Sequence, residues 1–309
     1  MAIRVAMIGY GAVGSIHAAK LKKEPDVQWV SVYGPKREKA SSFAATHGIQ
    51  RACDSIAEAV SGADAAMICS PSPAHFEQAR ECLEHGVHTL VEMPPCENAA
   101  EAAELGSLAR RYGVKLGCAH TSRFVAPFAR VKKSIESGVL GEILEINYAR
   151  YHKLRERSWT DNALLHHAAH PIDLLFYWCG GIEPKGCVAL PDVRLPRTVS
   201  VLGKLPSGGA VTITVSYASR IHHIRMMIVG EKHTIETDGF SYANSDLQEL
   251  EFRGDEKETY EEAIHLQDIE FIRACQGNGN FVSWDETVKV LQAIDGFRAL
   301  GAARPTPRR

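Results

Sequence analysis

Several features that would direct a chain to a membrane, a nucleic acid or a secreted fold are missing here. No apolar run reaches the roughly 18 residues that a helix needs to cross a bilayer, and Met1 leads straight into an apolar strand instead of a signal peptide. The 35 Lys and Arg are balanced by 37 Asp and Glu, so the net charge of −2 gives no overall attraction to nucleic acid or membrane surfaces. The eight cysteines never occur in Cys-x-x-Cys spacing, which indicates neither a zinc site nor a disulfide framework. We therefore expect a cytoplasmic globular protein, whose 309 residues suit two domains.

A glycine motif stands at the start of the chain. Gly9, Gly11 and Gly14 follow an N-terminal apolar strand and open a helical stretch. In that context the first glycine permits a tight turn, the second lets the backbone approach a pyrophosphate, and the third lets helix and strand pack closely. Ala12 and Val13 begin the helix, whose first N–H groups would face the phosphates. The alternative is a glycine-rich turn in an ordinary α/β protein.

The carboxylate that binds the ribose 2′-hydroxyl in NAD-preferring domains is missing. It is expected about twenty residues after the glycines, at the end of the second strand, where this chain has Gly34, Pro35, Lys36 and Arg37. A small residue and two cations suit the 2′-phosphate of NADP, because Arg holds phosphate with its planar fork. We predict NADP as the cofactor, with NAD as the alternative if the Lys-Arg pair belongs to an ordinary solvated loop.

The pattern of apolar residues differs between the two parts of the chain. Up to about residue 120, short apolar runs alternate with helical segments, which is typical of a parallel sheet. After residue 140, β-branched runs separated by Ser-Gly-Gly and Gly-Glu-Lys turns indicate an antiparallel sheet with one open face. The predicted fold class is α/β, with a Rossmann dinucleotide-binding domain over 1–122 and a C-terminal α+β domain over 123–309 that carries a large open-faced, mostly antiparallel sheet.

The predicted elements follow from these patterns. In the first part we predict strands at 3–8, 28–33, 65–69, 88–92 and 114–118, alternating with helices near 13–22, 36–47, 55–60, 74–85 and 98–112. In the second part we predict strands at 143–151, 198–205, 210–219, 223–229 and 234–237, with helices near 163–178, 262–276 and 284–300.

Further motifs lie after the strands of the first part. They are Ser70-Pro71 with His75, Glu92-Met93-Pro94, and His120-Thr121-Ser122-Arg123-Phe124, and a later helix carries His170-Pro171-Ile172-Asp173. Over nearly the whole chain these motifs resemble the glucose-fructose oxidoreductase, inositol dehydrogenase and rhizopine-catabolism (Gfo/Idh/MocA) family. The resemblance implies an NAD(P)-dependent dehydrogenase that acts on a CH–OH group. It places Ser70, Pro71, His75, Glu92 and Pro94 at the cofactor and makes His170 the catalytic histidine.

Two positions depart from the family pattern. The family's Glu-Lys-Pro lysine, which assists proton transfer, is Met93 here, and the acidic residue expected four positions before the catalytic histidine is His166. The block Trp159-Thr160-Asp161 followed by His166-His167-Ala168-Ala169-His170 resembles members that act on a carboxylated semialdehyde. Those members take part in the catabolism of aromatic acids. They use NADP to oxidise the cyclic hemiacetal of the semialdehyde to a lactone. This resemblance defines a subgroup better than it defines the substrate.

The histidine block is the candidate acid–base group. His166 and His170 lie one helical turn apart and share a face, while His167 is expected to point elsewhere. Because imidazole titrates near neutrality, His170 suits removal of a proton from a hemiacetal hydroxyl, with His166 orienting it or the substrate. The same spacing occurs in zinc sites, but no third ligand is evident and we predict no metal. A pair of hydrogen-bonded helix histidines is the structural alternative.

Cations are needed to bind a carboxylated substrate. Residues 150–157 hold four cationic side chains, Arg150, Lys153, Arg155 and Arg157, against one carboxylate. We predict Arg123 as a bidentate anchor for a substrate carboxylate. The other predicted substrate contacts are Arg155, Trp159, His167 and His120. For His120 a hydrogen-bonded core histidine is equally consistent with the sequence, and Asp173 is expected to anchor its helix.

These observations lead to one functional hypothesis and two alternatives. The hypothesis is an NADP-dependent oxidoreductase that converts a carboxylated hemiacetal or semialdehyde to a lactone, with His170 as the base. The alternatives are a sugar or cyclitol dehydrogenase of the same family, and an NADP-binding sensor without catalysis. The apolar residues of 210–219 and 226–229 predict that a partner subunit covers the open sheet face, giving a homodimer or homotetramer. No nucleic acid or membrane partner is expected.

Overall fold

The computed structural model describes residues 2–153 and 161–302. The chain forms two compact units. The first consists of the chain up to Thr121 together with Ile264–Val288, and the second of Ser122–Ala263 together with the chain from Lys289 onward. The predicted division after residue 122 lies one residue from the first junction, whereas the return of Ile264–Val288 to the first unit was not expected.

The first unit alternates strands and helices in the order that the apolar runs predict. Its elements are β1 (Ile3–Ile8), α1 (Ala12–Leu21), β2 (Val27–Tyr33), α2 (Arg37–His47), β3 (Arg51–Cys53), α3 (Ile56–Val60), β4 (Ala65–Ile68), α4 (His75–Glu84), β5 (His88–Val91), α5 (Ala99–Tyr112) and β6 (Leu116–Cys118). The strand β3 is missing from the predicted set, because three residues are too few to establish a periodicity.

These strands form one parallel sheet in the order β3-β2-β1-β4-β5-β6. The central strands β1 and β4 are buried on both faces, as expected for a parallel sheet covered by helices. The order reverses between β1 and β4, so the loops after those strands flank the crevice in which such sheets bind ligands. The glycine motif lies in that crevice, immediately after β1.

The second unit begins with a helix that sequence patterns did not predict. Its elements are α6 (Ala126–Glu136), β7 (Ile143–Tyr151), α7 (Ala169–Cys179), β8 (Glu183–Leu190), β9 (Thr198–Lys204), β10 (Ala210–Ser216), β11 (His223–Gly230), β12 (Thr234–Thr237), β13 (Tyr242–Ser245) and β14 (Phe252–Arg253). Two helices, α8 (Glu256–Cys275) and α9 (Trp284–Ala302), follow in the chain, and the part of them within Ile264–Val288 belongs to the first unit. The strands β8, β13 and β14 were also not predicted; Pro184 and Gly186 interrupt the strand pattern of β8.

The second sheet has eight strands in the order β14-β13-β12-β11-β7-β10-β9-β8. The pair β7–β10 is parallel and the other pairs are antiparallel, which confirms the predicted mostly antiparallel sheet.

The apolar residues expected on the open face of this sheet lie on its buried face instead. Val211, Ile213 and Val215 of β10 are at most 1% exposed, and Met226 and Ile228 of β11 are equally buried. The reason is the two-residue alternation of a strand, which places every second side chain of an apolar run on the covered side. The exposed large apolar side chains lie elsewhere on the sheet, chiefly on β8 and β9. Within the described ranges, no helix combines the length and apolar character that crossing a membrane requires.

Candidate active site

The glycine motif of the first unit forms a turn that leaves space beside the start of α1. Gly9 has φ +107°, and a Cβ built on it would lie 2.5 Å from the backbone nitrogen of Ser70, so a side chain there is excluded. A Cβ on Gly11, by contrast, would meet nothing closer than the carbonyl oxygen of Cys69 at 3.8 Å. Because the protein itself does not require glycine at position 11, the free space fits close approach of a bound pyrophosphate.

The helix α1 is suited to receive that pyrophosphate. Gly11 caps it without a side-chain hydrogen bond, and its first turn carries no acidic residue. The first N–H groups of a helix lack intrahelical acceptors and attract anions. A Cβ on Gly14 would lie 3.2 Å from the carbonyl oxygen of Gly9, which is consistent with the close packing predicted for the third glycine. The geometry of the motif therefore fits a dinucleotide.

A side chain at position 34, where NAD-preferring domains carry their acidic residue, would meet a tyrosine ring. Gly34 lies against the ring of Tyr10, whose hydroxyl accepts a hydrogen bond from the backbone nitrogen of Lys36 at 3.0 Å. Arg37 pairs with Asp54 at 2.5 Å, with both side chains about half exposed or more. Exposed ion pairs contribute little free energy, so this guanidinium can exchange its carboxylate for a phosphate at small cost.

His75 connects the loops that follow β4 and β5. It is buried, and its ring nitrogens lie 2.8 Å from the carbonyl oxygens of Ser70 and Pro94. The structure thus gives His75 a bracing role between the two motifs predicted to hold the cofactor. A direct contact between its ring and the cofactor stays a prediction.

Glu92 of the Glu-Met-Pro motif belongs to a carboxylate–imidazole–carboxylate series of contacts. Nε2 of His17 lies 2.9 Å from Oε1 of Glu92, and Nδ1 of the same ring lies 2.7 Å from Oδ2 of Asp268 on α8. Burial alone would lower the pKa of His17, but the fully buried Asp268 carboxylate and the Cys69 thiol together outweigh burial and hold that pKa well above its usual range. Glu92 is therefore fixed by a cationic ring, at the end of the strand where the family carries its lysine.

Sequence reasoning did not single out His17 or Asp268. His17 occurs three residues after the last glycine, on the inward face of α1, and Asp268 lies on the buried face of α8. A polar residue on a buried helix face was the available signal. It could not identify the partner, because 251 residues separate the two side chains.

In the second unit, the histidine block is carried by a π-helical turn and not by a regular α-helix. The turn spans Ala163–Ala168 and runs directly into α7. The side chain of Asn162 accepts hydrogen bonds from the backbone nitrogens of Leu164 and Leu165, and its own backbone nitrogen donates to Nδ1 of His166 at 2.9 Å. Turns of this kind are rare and occur frequently at functional sites. The predicted helix over 163–178 is thus corrected in its first six residues.

The expectation that His167 points away from the other histidines was wrong. Its ring centroid lies 5.1 Å from that of His152, 4.9 Å from Tyr217 and 6.5 Å from His170. Nδ1 of His167 is buried and has no hydrogen-bond partner among the residues that the structure describes. A buried polar atom of this kind is normally satisfied by a ligand or an ordered water.

The charge state of His167 follows from its surroundings. Burial, reinforced by the Arg150 guanidinium and by His170 and His152, holds the pKa of His167 well below its usual range. The ring is therefore neutral at physiological pH. It can accept or donate one hydrogen bond at each nitrogen, as the tautomer dictates.

A directed hydrogen-bond chain extends from this cluster. Nε of Arg150 donates to Nε2 of His152, and Nδ1 of His152 lies 2.9 Å from Nδ1 of His222. Because arginine only donates, Nε2 of His152 must accept; its Nδ1 carries the hydrogen and donates to His222. Sequence reasoning placed Arg150 in a cationic run but did not find His152 in the same run, nor Tyr217 and His222, which are far from the block in sequence.

Arg123 has a buried partner within the second unit. Its guanidinium donates from both Nε and Nη2 to the carboxylate of Asp173, with the shortest distance 2.6 Å, and both side chains are at most 6% exposed. The guanidinium also lies over the ring of Tyr177, 5.2 Å from its centroid. Asp173 thus anchors its helix as predicted from sequence, through Arg123. The assignment of Arg123 to a substrate carboxylate stays a prediction.

The remaining predicted residues divide into two groups. His120 is 1% exposed, and its Nε2 lies 2.8 Å from Oγ1 of Thr287, as expected for a hydrogen-bonded core histidine. Arg155 and Trp159 lie outside the described residues, as does Arg157. No group of three or more His, Cys, Asp or Glu side chains within residues 2–153 and 161–302 is arranged to hold a metal ion.

Comparisons with known proteins place these observations in a family. A family model described as an oxidoreductase family with an NAD-binding Rossmann fold matches residues 3–120, and the GFO/IDH/MocA C-terminal domain matches residues 128–236. The chain is 31% identical over 228 residues to 4-carboxy-2-hydroxymuconate-6-semialdehyde dehydrogenase of a Sphingobium species, covering 70% of this chain and 72% of that protein.

Other relatives act on different substrates. The chain is 33% identical over 135 residues to the NADP-dependent scyllo-inositol 2-dehydrogenase IolU of Bacillus subtilis, covering 43% of this chain and 41% of that protein. Among solved structures, GenD2 from gentamicin A biosynthesis, in complex with NAD, has a TM-score of 0.86 at 18% identity, covering 98% of this chain and 95% of GenD2. At that identity the likeness concerns the fold.

Proposed function

Since this chain belongs to the Gfo/Idh/MocA family of NAD(P)-dependent dehydrogenases, we propose that it oxidises a carboxylated hemiacetal to a lactone with NADP. The proposed substrate class is that of 4-carboxy-2-hydroxymuconate-6-semialdehyde, the compound in the name of the similar Sphingobium dehydrogenase. The catalytic base in this proposal is His170, on the helix that follows the π-helical turn.

The observation that carries the proposal is the histidine cluster of the second unit. The ring of His167 lies between those of His170 and His152 in a series of ring contacts, and a buried nitrogen of His167 lacks a partner in the described part of the chain. The family pattern has a lysine, which assists proton transfer, where this chain has Met93. A methionine cannot exchange a proton, so His170, at the position of the family's catalytic histidine, is left as the acid–base group.

The chemistry assigned to the chain's own residues is a single proton transfer. When bound, NADP would supply the acceptor for the hydride of the hemiacetal carbon. The hydroxyl proton on the same carbon passes to a ring nitrogen of His170, and the carbon–oxygen bond becomes the lactone carbonyl. His167 stays neutral because its pKa is lowered by burial, so it adds no second positive charge as His170 takes up the proton.

The carboxylates of such a substrate require donors. Arg150 donates a hydrogen bond to His152, which in turn donates one to His222. This series of hydrogen bonds places N–H groups next to the cluster. Hydrogen bonds from a cation, or relayed from one, hold carboxylates more strongly than neutral donors do. This cationic wall favours an acid over an uncharged sugar. Arg155 and Trp159, both in 154–160, are proposed as further contacts.

The cofactor assignment rests on the loop after β2. Lys36 and Arg37 would bind the 2′-phosphate of NADP, and Gly34 offers no carboxylate to a free 2′-hydroxyl. The glycine motif and the start of α1 would hold the pyrophosphate. Ser70, Pro71, Glu92 and Pro94 would hold the nicotinamide half, with Glu92 oriented by His17.

The experiment is an assay of NADPH formation at 340 nm, with the semialdehyde generated in the cuvette, on the unmodified protein and His170→Asn. Loss of a general base costs roughly 100- to 10,000-fold in rate, and we expect that loss in kcat while the calorimetric Kd for NADP stays unchanged. His85→Asn, which changes an exposed histidine of the first unit, is the matched control and should keep full activity. Activity of the His170 variant within threefold of the unmodified protein would remove His170 from the chemistry.

The same assay distinguishes the other candidate functions. Turnover of inositols or glucosides, with none of the semialdehyde, would assign the chain to the sugar and cyclitol branch. Tight NADP binding without turnover of any of these substrates would indicate a sensor.

A further inference from the structure

We propose that Tyr10, the middle residue between the first two motif glycines, determines the cofactor preference by excluding a carboxylate from position 34. This inference rests on the NADP preference proposed above and names the residue that enforces it. The ring of Tyr10 occupies the space that an acidic side chain at position 34, directly after β2, would need.

The steric observation is specific to one glycine. A Cβ built on Gly34 would lie 2.1 Å from Cε1 and 2.5 Å from Cδ1 of Tyr10, distances at which one of the two groups must move. Gly34 does not have a positive φ, so the backbone conformation would accept any residue. The three atoms nearest to a side chain at this position all belong to the tyrosine ring, which therefore accounts for the glycine.

The ring is held in that place from two sides. Its hydroxyl accepts a hydrogen bond from the backbone nitrogen of Lys36 at 3.0 Å, immediately before α2. Its apolar part packs against the hydrophobic core of the first unit. Moving the ring aside to admit a side chain at position 34 would break the hydrogen bond and expose apolar surface, both of which cost free energy.

The consequence concerns the ribose. A carboxylate at the end of the second strand accepts hydrogen bonds from the free ribose hydroxyls of NAD and repels the 2′-phosphate of NADP. With Tyr10 in place no such carboxylate can be accommodated, and the nearest charged groups along the chain are the cations Lys36 and Arg37. The tyrosine thus makes the loop selective for a phosphorylated ribose, in addition to the cations that bind it.

The test is a double-mutant cycle read by calorimetric binding of NADP⁺ and NAD⁺ without substrate. The proteins are the unmodified chain, Gly34→Asp, Tyr10→Ala and the combined Tyr10→Ala, Gly34→Asp variant. We expect Gly34→Asp alone to weaken NADP⁺ binding at least tenfold without improving NAD⁺ binding. The combined variant should bind NAD⁺ at least tenfold more tightly than Gly34→Asp does. Equal NAD⁺ affinities of Gly34→Asp and the combined variant would overturn the proposal.

A second pair of variants keeps the test valid if Gly34→Asp folds poorly. Gly34→Ala adds the Cβ without charge, so it should lower the melting temperature when Tyr10 is present and leave it unchanged in the Tyr10→Ala background. Equal effects in both backgrounds would show that the ring is not what excludes a side chain, and would overturn the proposal as well. A preference of the unmodified chain for NAD⁺ would instead contradict the proposed cofactor, while the cycle still measures the coupling between positions 10 and 34.

Discussion

At the residue scale, the protonation of His17 links cofactor-side geometry to stability. Each ring nitrogen of His17 lies within hydrogen-bonding distance of a carboxylate. Because carboxylates only accept hydrogen bonds, both nitrogens carry a hydrogen, which makes the ring an imidazolium. The pKa of His17 is raised well above its value in an unfolded chain. The folded protein therefore holds a proton that the unfolded chain has released once the pH exceeds about 6.5.

This sign predicts a loss of stability toward alkaline pH. The contribution of His17 is fully present below about pH 6.5 and declines by up to about 1.4 kcal/mol per pH unit as the pH rises toward the raised pKa. We expect the difference in free energy of unfolding between the unmodified protein and His17→Gln to shrink across that range in urea titrations. His85→Gln is the control at an exposed site. A difference that does not change with pH would show that His17 is neutral in the folded state.

At the element scale, the Arg123–Asp173 pair fixes α7 and thereby the histidine block that precedes it. Truncating one member of a buried pair leaves an unpaired buried charge, which costs about 3–5 kcal/mol. We expect Asp173→Asn to lower the free energy of unfolding by that amount in urea denaturation. Replacing both residues, as in Arg123→Met with Asp173→Leu, should cost less than Asp173→Asn alone.

The matched control for this pair is a surface ion pair on a helix. Asp295→Asn breaks the contact with Arg298 on α9, three residues along the same helix, and should cost less than about 1 kcal/mol. If the Asp173 and Asp295 variants lose equal stability, the buried pair does not anchor α7.

At the scale of the whole molecule, the open face of the eight-stranded sheet predicts self-association. Val188 and Leu190 on β8, Leu202 on β9 and Leu144 on β7 are 47–58% exposed. Large apolar side chains exposed on neighbouring strands of one sheet are a feature of interaction sites. We expect a dimer or tetramer at micromolar concentration in sedimentation velocity.

The variant Leu190→Lys with Leu202→Lys should dissociate that assembly, because burying two ammonium groups without partners is costly. Leu266→Lys, at an equally exposed leucine on α8 of the first unit, should leave the assembly unchanged. An unmodified protein that sediments as a monomer would contradict the prediction.

Residues with fixed local roles were predictable from sequence. The glycine motif after β1 and the apolar runs of the parallel sheet require only short stretches of chain, and they led to the fold class. The short motifs that follow the strands led to the family. The change to β-branched runs after residue 140 likewise indicated the antiparallel sheet. In each case the spacing of residues within one element carries the information.

The tertiary structure decided which distant side chains meet. His17 contacts Asp268, and Arg123 pairs with Asp173. The ring of His167 packs beside those of His152 and Tyr217. No local pattern encodes contacts across these separations. The position of His167 beside His152 and His170 was not expected, because an α-helical period was assumed where the backbone forms a π-helical turn. The sequence by itself determined the elements and the chemistry available to them, since those depend on neighbouring residues. Packing alone decided the partners, the burial and thus the charge of each site residue.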